Sequence, residues 1–396
     1  VLSSESVQNF TPENLYCFNL SEVIRHRAWV EINQSALAHN VTQIKSLLSP
    51  STQLMAVVKA DAYGHGAINV AQTILESGAS SLAIATLAEG VELREAGIDV
   101  PILVLGAINT PQEVAALCHW QLQPTLCSLE QARIFEETLS YLEQTLEVHL
   151  KLDTGMSRLG TLWNQAQKLV LGVQGLPHLQ IKSIYSHLAT ADDPDSSVMN
   201  RQKQRFESAI GEIKALGITP PWLHLANSAA TLSDPSVHYD LVRVGLALYG
   251  LYPAPHLESV LNLQPVLSVK AKITQIKTIP AGSGVSYGYQ YITDIERKIA
   301  VVSIGYADGV PRNLSNRLKV SIRGKIAPQI GAITMDQMMI DVSHLSHLCL
   351  GDVVTLIGQD GQNQIKADDW ANELKTISWE ILCGFKHRLP RVNVAS

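Results

Sequence analysis

A lysine that closes an apolar run is the first residue here with evident chemistry. Leu54-Met55-Ala56-Val57-Val58 stops at Lys59, and the small-residue turn Ala60-Asp61-Ala62-Tyr63-Gly64-His65-Gly66 follows. Continuous aliphatic residues of this length read as a strand buried on both faces. An amine at the rim of such a strand is partly desolvated, which favours its neutral form and makes it a nucleophile for a carbonyl compound. Taken alone, Lys59 reads more readily as a side chain that snorkels to solvent. Other polar residues at the ends of apolar runs change that balance. Lys151, Asp153 and Arg158 follow one run in His149-Leu150-Lys151-Leu152-Asp153-Thr154-Gly155-Met156-Ser157-Arg158. His187 ends another, Asn227-Ser228 follow a third, and Arg243-Val244-Gly245 closes a fourth. Each has a plain structural reading, and their common position at strand ends is what points to a site.

A phosphate group needs hydroxyls and free backbone N–H groups, best at a helix start. Ser228 at the start of a helical pattern, the backbone at Gly245 and the phenol of Tyr63 offer these. A helix cap is the equal alternative for Ser228. Neither a Walker loop nor a Gly-x-Gly-x-x-Gly turn is present, so nucleotide binding is not the reading. Three later turns also stand out: Gly284-Val285-Ser286-Tyr287-Gly288, Gly305-Tyr306-Ala307-Asp308-Gly309 and Thr334-Met335-Asp336-Gln337. Tyrosines in turns commonly just cover apolar surface.

The elements that must position these residues follow a rhythm. Apolar strand candidates recur at 54–59, 81–86, 101–105, 121–126, 146–152, 180–187, 221–225 and 240–244, with helical patterns between them. Eight alternating units over this length predict an α/β fold, an N-terminal (β/α)8 TIM-type barrel. From about Pro265 the text turns to strands joined by Gly/Asp turns, at 266–276, 298–304, 319–322, 338–342 and 353–357, with short helices at 370–374 and 377–382. That predicts a C-terminal, mostly-β domain over 265–396, a barrel over 27–264 and an N-terminal extension over 1–26. The strand Ala28–Ile32 opens the barrel segment, with Asn33 or Ser35 as the cap of the next helix.

With 396 residues, two domains are the default. Hydrophobic residues make up 46% and charged residues 17%, as in ordinary globular proteins. The net charge of −6, without any Lys/Arg-rich run, argues against nucleic-acid binding. No apolar stretch approaches the roughly 20 residues that span a bilayer. Cys17, Cys118, Cys127, Cys349 and Cys383 have neither zinc-site nor disulfide-frame spacing, and no metal is expected. The first 20 residues lack a signal-peptide pattern, and the cytoplasm is the expected compartment.

Val57-Val58-Lys59-Ala60-Asp61-Ala62-Tyr63-Gly64-His65-Gly66 resembles the pyridoxal-phosphate lysine motif of alanine racemases. The segments around Arg158, His187, Ser228, Arg243, Tyr287, Tyr306 and Met335 follow in that family's order, so the resemblance runs from Trp29 to the end. It implies interconversion of L- and D-alanine with pyridoxal 5'-phosphate, supplying D-alanine for peptidoglycan, in a homodimer whose active sites draw on both subunits. It implies that Lys59 holds the cofactor as a Schiff base and is the base on one face of the substrate. Tyr287 of the other subunit is then the base on the opposite face. Arg243 contacts the pyridine nitrogen, Tyr63, Asn227, Ser228, Gly245 and Leu246 surround the phosphate, and His187 stands behind Tyr287 or Arg243. Arg158 and the backbone at Met335 hold the substrate carboxylate, with Tyr306 and Asp336 supporting. Lys151 matches a position that is carbamylated in some members and then braces Arg158.

That chemistry accounts for the residue types. Racemisation removes a proton from one face of Cα and returns one on the other, so two bases must flank a planar carbon. An amine and a phenol, with reference pKa values of about 10.4 and 10, need tuning by burial and nearby cations. An arginine keeps its proton, so the nitrogen facing it stays unprotonated and the electron sink is weak. Two positions depart from many relatives: Ala332 replaces an arginine expected along the substrate channel, and His387 precedes Arg388 where some carry a tyrosine. A racemase of broader or serine specificity is the near alternative. A barrel-plus-β-domain decarboxylase and a pyridoxal-phosphate carrier protein are the others. The first fits neither Arg243 nor Asn227-Ser228, and the second lacks a β domain.

Overall fold

The computed structural model describes residues 27–394, so the expected extension over 1–26, with Cys17, lies outside the described residues. Two compact units form: Asn33–Val266, and the strand ending at Ile32 with Leu267–Val394.

In the first unit the eight apolar runs all become strands. After β1 (Ala28–Asn33), these are β2 (Gln53–Val57), β3 (Ser81–Ile84), β4 (Ile102–Ala107), β5 (Gln123–Leu126) and β6 (Leu146–Asp153). A two-residue β7 (Thr161–Leu162) pairs only with β6, and β8 (Leu179–Tyr185), β9 (Leu223–His224) and β10 (Leu241–Val244) complete the set. All pair in parallel in the order β10-β2-β3-β4-β5-β6-β8-β9. Between β9 and β10 the wall closes through Asp240 N–H to the Leu223 carbonyl (3.1 Å) and Arg243 N–H to the Ala226 carbonyl (3.0 Å). The result is the expected barrel of strands with intervening helices. The weakest strand text, Gln123-Pro124-Thr125-Leu126, holds because Pro124 lies near the strand start beside a register shift in β4. Local signals start the helices. Asn33 accepts from Ala36 N–H at 2.9 Å, and Thr86 with Glu89 forms a capping box.

The second unit is a nine-stranded sheet around the long β11 (Leu267–Ile279). Its alternating burial from Leu267 to Ile273 is the period-two pattern of a half-buried strand. The unit continues with β12 (Gly284–Val285), β13 (Tyr291–Ile292), β14 (Arg297–Val302), β15 (Lys319–Ile322), β16 (Lys325–Ile330), β17 (Met338–Asp341) and β18 (Val353–Asp360). Helices Ala367–Leu374 and Ser378–Gly384 fall where short helical patterns were read. β1 differs from expectation. Its text adjoins the barrel, but it pairs antiparallel with β11, Val30 opposite Val269, and so belongs to the β unit. A strand pattern states which faces are buried and not which strand lies alongside. Among the described residues no helix is long and apolar enough to cross a membrane.

Candidate active site

Lys59 begins an unusual turn. Ala60, Asp61, Ala62 and Tyr63 all have φ between 52° and 56°, a left-handed helical turn made without glycine. Each L-residue there costs about 1–2 kcal/mol, so the run costs roughly 4–8 kcal/mol and must be held by its surroundings. The Glu89 carboxylate accepts from Ala60 N–H and Ala85 N–H, both at 2.7 Å. Asp61 Oδ1 accepts from Ala67 N–H at 2.7 Å, and buried His65 Nδ1 donates to the carbonyls of Ala62 and Tyr63 (2.9 and 3.1 Å). Tyr249 stacks near both Tyr63 and His65, and its hydroxyl donates to the Val57 carbonyl at 2.9 Å, pinning the end of β2. None of these supports was singled out from sequence. The small residues of the motif and the glycines at 64 and 66, both at positive φ, were the available signal.

The turn carries Tyr63 across to the end of β10. A Cβ on Gly245 would lie 2.6 Å from the Tyr63 hydroxyl, so only glycine leaves room there. Ser228 Oγ accepts from Gly245 N–H at 3.0 Å and from Ala247 N–H at 3.4 Å, beside Leu246. Asn227, not Ser228, caps the helix, accepting from Ala230 N–H at 3.1 Å. That frees the serine hydroxyl to gather the backbone around Gly245. A phenol and a hydroxyl thus meet beside the backbone at Gly245, a cradle suited to a phosphate.

Arg243 lies wholly inside the barrel. Its guanidinium donates to His224 Nδ1 (3.0 Å), the Ser186 carbonyl (2.8 Å), His187 Nδ1 (3.2 Å) and the Leu225 carbonyl (3.5 Å), and sits over the Tyr185 ring. All these acceptors are neutral, and no carboxylate pairs with it among the described residues. Desolvation lowers its pKa to about 10, still far above neutrality. His187 and His224 are held well below the usual histidine range, first by burial and then by the charge of Arg243. Of the two places foreseen for His187, the structure shows the one beside Arg243. Lys151, Arg158 and Lys59 lie close enough to His187 to lower its pKa further, so these basic residues and Arg243 share one rim.

Lys151 is buried, with its ammonium 4.1 Å from the Tyr185 ring centre. Burial, then Arg243 and Arg158, push its pKa well down. It shares the lining of a small cavity of about 10 Å3, one water in size, with Asp153, Arg158 and His187. The structure therefore brings Lys59, Tyr63, Lys151, Arg158, His187, Asn227, Ser228, Arg243, Gly245 and Leu246 to the carboxyl ends of the barrel strands.

The β unit gathers its own three turns. Tyr306 and Ala307 N–H donate to the carbonyls of Thr334 and Met335, both at 3.0 Å. A Cβ on Gly305 would strike those same carbonyls at 2.3 and 2.4 Å, which accounts for that glycine. Ser286 Oγ donates to the Ala332 carbonyl at 2.7 Å, tying the Tyr287 turn to the same loop. Asp336 pairs with Arg388 at 2.7 Å, and Arg388 lies 3.5 Å from buried Asp308, which Arg27 grips with two bonds of 2.7 Å. Tyr287 is 72% exposed, beside Tyr289 at 67%, on an open groove of about 690 Å3 that Thr274, Ile279, Val301 and Met339 also line. Ala332, expected to line a channel, is fully buried, and Asp336 of the same loop pairs with Arg388. His387 is exposed.

Two family profiles cover nearly the whole described chain. That of the alanine racemase N-terminal domain matches residues 32–253, and that of the alanine racemase C-terminal domain matches 266–393. An alanine racemase of Nostoc sp. is 64% identical over 370 residues, 93% of this chain and 96% of that protein. One from Synechocystis sp. is 63% identical, over 93% of this chain and all of its own length. Among solved structures, an alanine racemase of Clostridium difficile superposes with a TM-score of 0.90 at 34% identity, covering 94% of this chain and 97% of its own. That of Bacillus anthracis with bound L-Ala-P gives 0.88 at 36% identity, covering 93% and 95%.

Proposed function

The chain belongs to the alanine racemase family, and from that premise we propose that it interconverts L- and D-alanine with two bases, Lys59 and Tyr287, and pyridoxal phosphate at the barrel mouth. The observation that carries this reading is the fully buried Arg243 guanidinium, surrounded by neutral acceptors on a rim that it shares with Lys59, Lys151 and Arg158. Such a rim suits an anionic cofactor and the carboxylate of an amino acid. The cradle at Tyr63, Ser228 and Gly245 fits the phosphate, and an amine at the end of β2 fits covalent attachment, so the residues present suit the group. When bound, pyridoxal phosphate draws electrons from the substrate Cα and so acidifies its proton.

The remaining roles fall to the chain. Lys59 Nζ anchors the cofactor and moves the proton on one face of Cα. Tyr287 Oη moves it on the other. Arg243 can only donate, so it would hold a ring nitrogen of the cofactor in the unprotonated form, which would keep the electron withdrawal moderate. The left-handed turn fixes Lys59 and Tyr63 as one rigid piece, which preorganises anchor and cradle together. Asn227 and Leu246 shape the cradle, and His187 holds the guanidinium from the side. Arg158 and the backbone N–H of Met335 hold the substrate carboxylate, with Tyr306 and Asp336 bracing the loop that carries Met335. The neutral amine of Lys151 is competent to add carbon dioxide with loss of a proton, and the carbamate would then accept from Arg158. Tyr287, exposed on an open groove of the β unit, supports a homodimer in which it serves the partner's barrel. A cytoplasmic enzyme supplying D-alanine to peptidoglycan accords with Cys118, Cys127 and Cys349 being free thiols.

Borohydride treatment of the purified enzyme followed by peptide mapping should recover a pyridoxyl group on Lys59. Recovery on another lysine sinks that assignment. L-alanine left without racemisation by the cofactor-loaded enzyme sinks the function.

A further inference from the structure

A second set of polar side chains runs through the barrel away from the rim. Arg243 donates to His224 Nδ1, as above. His224 Nε2 lies 2.7 Å from Ser183 Oγ, and Ser183 Oγ lies 2.6 Å from His149 Nδ1. His149 Nε2 lies 3.0 Å from Gln123 Oε1, whose Nε2 donates to Glu147 Oε2 at 2.5 Å. Glu147 ends the series near the starts of the strands, 39% exposed and paired with Lys182 at 2.8 Å. The register explains the alignment: His149 stands opposite both Thr125 and Ser183, and Tyr185 opposite His224.

The direction of every bond in this series follows from its two ends. A guanidinium only donates, so His224 Nδ1 accepts. Burial keeps His224 neutral, so its single proton is on Nε2 and is donated to Ser183. At the other end a carboxylate only accepts, so the Gln123 amide group faces Glu147 and its oxygen faces His149. His149 Nε2 must then carry the proton, and burial, which lowers this ring's pKa to about 3, leaves its Nδ1 bare. Ser183 therefore accepts from His224 and donates to His149, and the two independent deductions meet there without conflict. Run the other way, the series would set two N–H groups against each other at Arg243.

We propose that Glu147 is a remote positioning residue for Arg243, acting through a one-way hydrogen-bond chain, Gln123–His149–Ser183–His224, that holds His224 as an acceptor for the guanidinium. Chains of this kind polarise along their length, so the carboxylate strengthens the last acceptor as well as selecting its tautomer. Gln123 and Glu147 were not singled out in the sequence, because neither lies at a strand's carboxyl end.

Neutron diffraction from crystals of the cofactor-loaded enzyme tests the direction without any substitution. Deuterium should appear on Nε2 of both His149 and His224, with the Ser183 hydroxyl aimed at His149. Deuterium on Nδ1 of either ring overturns the proposal. Glu147→Gln, whose amide accepts either orientation of Gln123, should give His149 a second tautomer. It should also weaken pyridoxal phosphate binding about two- to tenfold, the span of one hydrogen bond's net worth. Glu147→Asp should restore the single tautomer. An unchanged His149 and unchanged affinity in Glu147→Gln overturn the positioning role. The affinity arm rests on the reading of Arg243 given above. Unchanged affinity in Arg243→Lys would sink that reading and leave the tautomer result standing by itself.

Discussion

The barrel mouth and the β-unit turns each present residues of the proposed reaction, but by opposite physical means. At the mouth burial sets the centre of the site: Arg243 is enclosed, its histidine neighbours are held neutral, and half-buried Lys59 starts a turn that its surroundings force into a left-handed form. The β unit offers Tyr287 on an exposed turn, fixed through the backbone by Ser286 and by the loop at Ala332. Burial sets the electrostatics of the first region within one chain. Exposure leaves the second to take its environment from what covers it. In the proposed dimer, a phenol that takes its environment from what covers it would meet a rim whose environment is already set.

The comparison breaks first at the two bases. Lys59→Ala removes the proposed anchor and base together, and turnover should fall by more than the ~10²–10⁴-fold that general-base help alone supplies. Tyr287→Phe should cost within that range, and hardest for proton removal from L-alanine. Being exposed, Tyr287 should leave stability within about 0.5 kcal/mol. Circular dichroism of alanine solutions in both directions measures the rates, and equal rates for Tyr287→Phe and the parent enzyme would remove it from the mechanism. Mixing sharpens the same contrast. Co-expressed Lys59→Ala and Tyr287→Ala chains should give about half mixed dimers with one intact site each, hence about a quarter of full activity. No recovery in verified mixed dimers would assign both bases to one chain.

Gly245→Ala tests the cradle. Its methyl would press on the Tyr63 hydroxyl, and overpacking of this kind typically costs about 1–3 kcal/mol. Cofactor affinity should fall while the β unit is undisturbed, and unchanged binding would separate Tyr63 from the cradle. A further effect is on pH. Unfolded, His149 takes up a proton near 6.5; folded, it resists until about 3. Between those values the unfolded chain binds more protons, so its contribution is full above about 6.5 and is lost as pH falls toward about 3. The slope is at most ~1.4 kcal/mol per pH unit for this group. Urea midpoints at successive pH values measure it, and a flat profile would mean that water reaches the ring.

Much of this was legible in the sequence. Eight apolar runs are local statements about burial, and the barrel follows because alternating strands and helices leave few other ways to cover both faces of a parallel sheet. Lys59, Arg243 and Tyr287 stand out in the sequence because each interrupts a pattern, an apolar run broken by a charge or a glycine turn by a phenol. Glu89, Tyr249 and His224 were missed because they interrupt nothing; each matters through a partner 29, 192 or 19 residues away. Ala332 was read as a channel residue, and the structure buries it, since motif position does not state which way a residue faces.

The amino-acid sequence by itself thus determined the alternation of elements, the strand-end site and the family resemblance, because periodicity and motif are properties of neighbouring residues. Only the tertiary structure decided that β1 joins the β unit, that four residues after Lys59 turn left-handed, and which way each hydrogen bond inside the barrel points. Those outcomes depend on register and on partners distant in the chain, where Glu89 and Asp61 outweigh a local preference of about 1–2 kcal/mol per residue and a guanidinium fixes the tautomer of a ring it meets only in the fold.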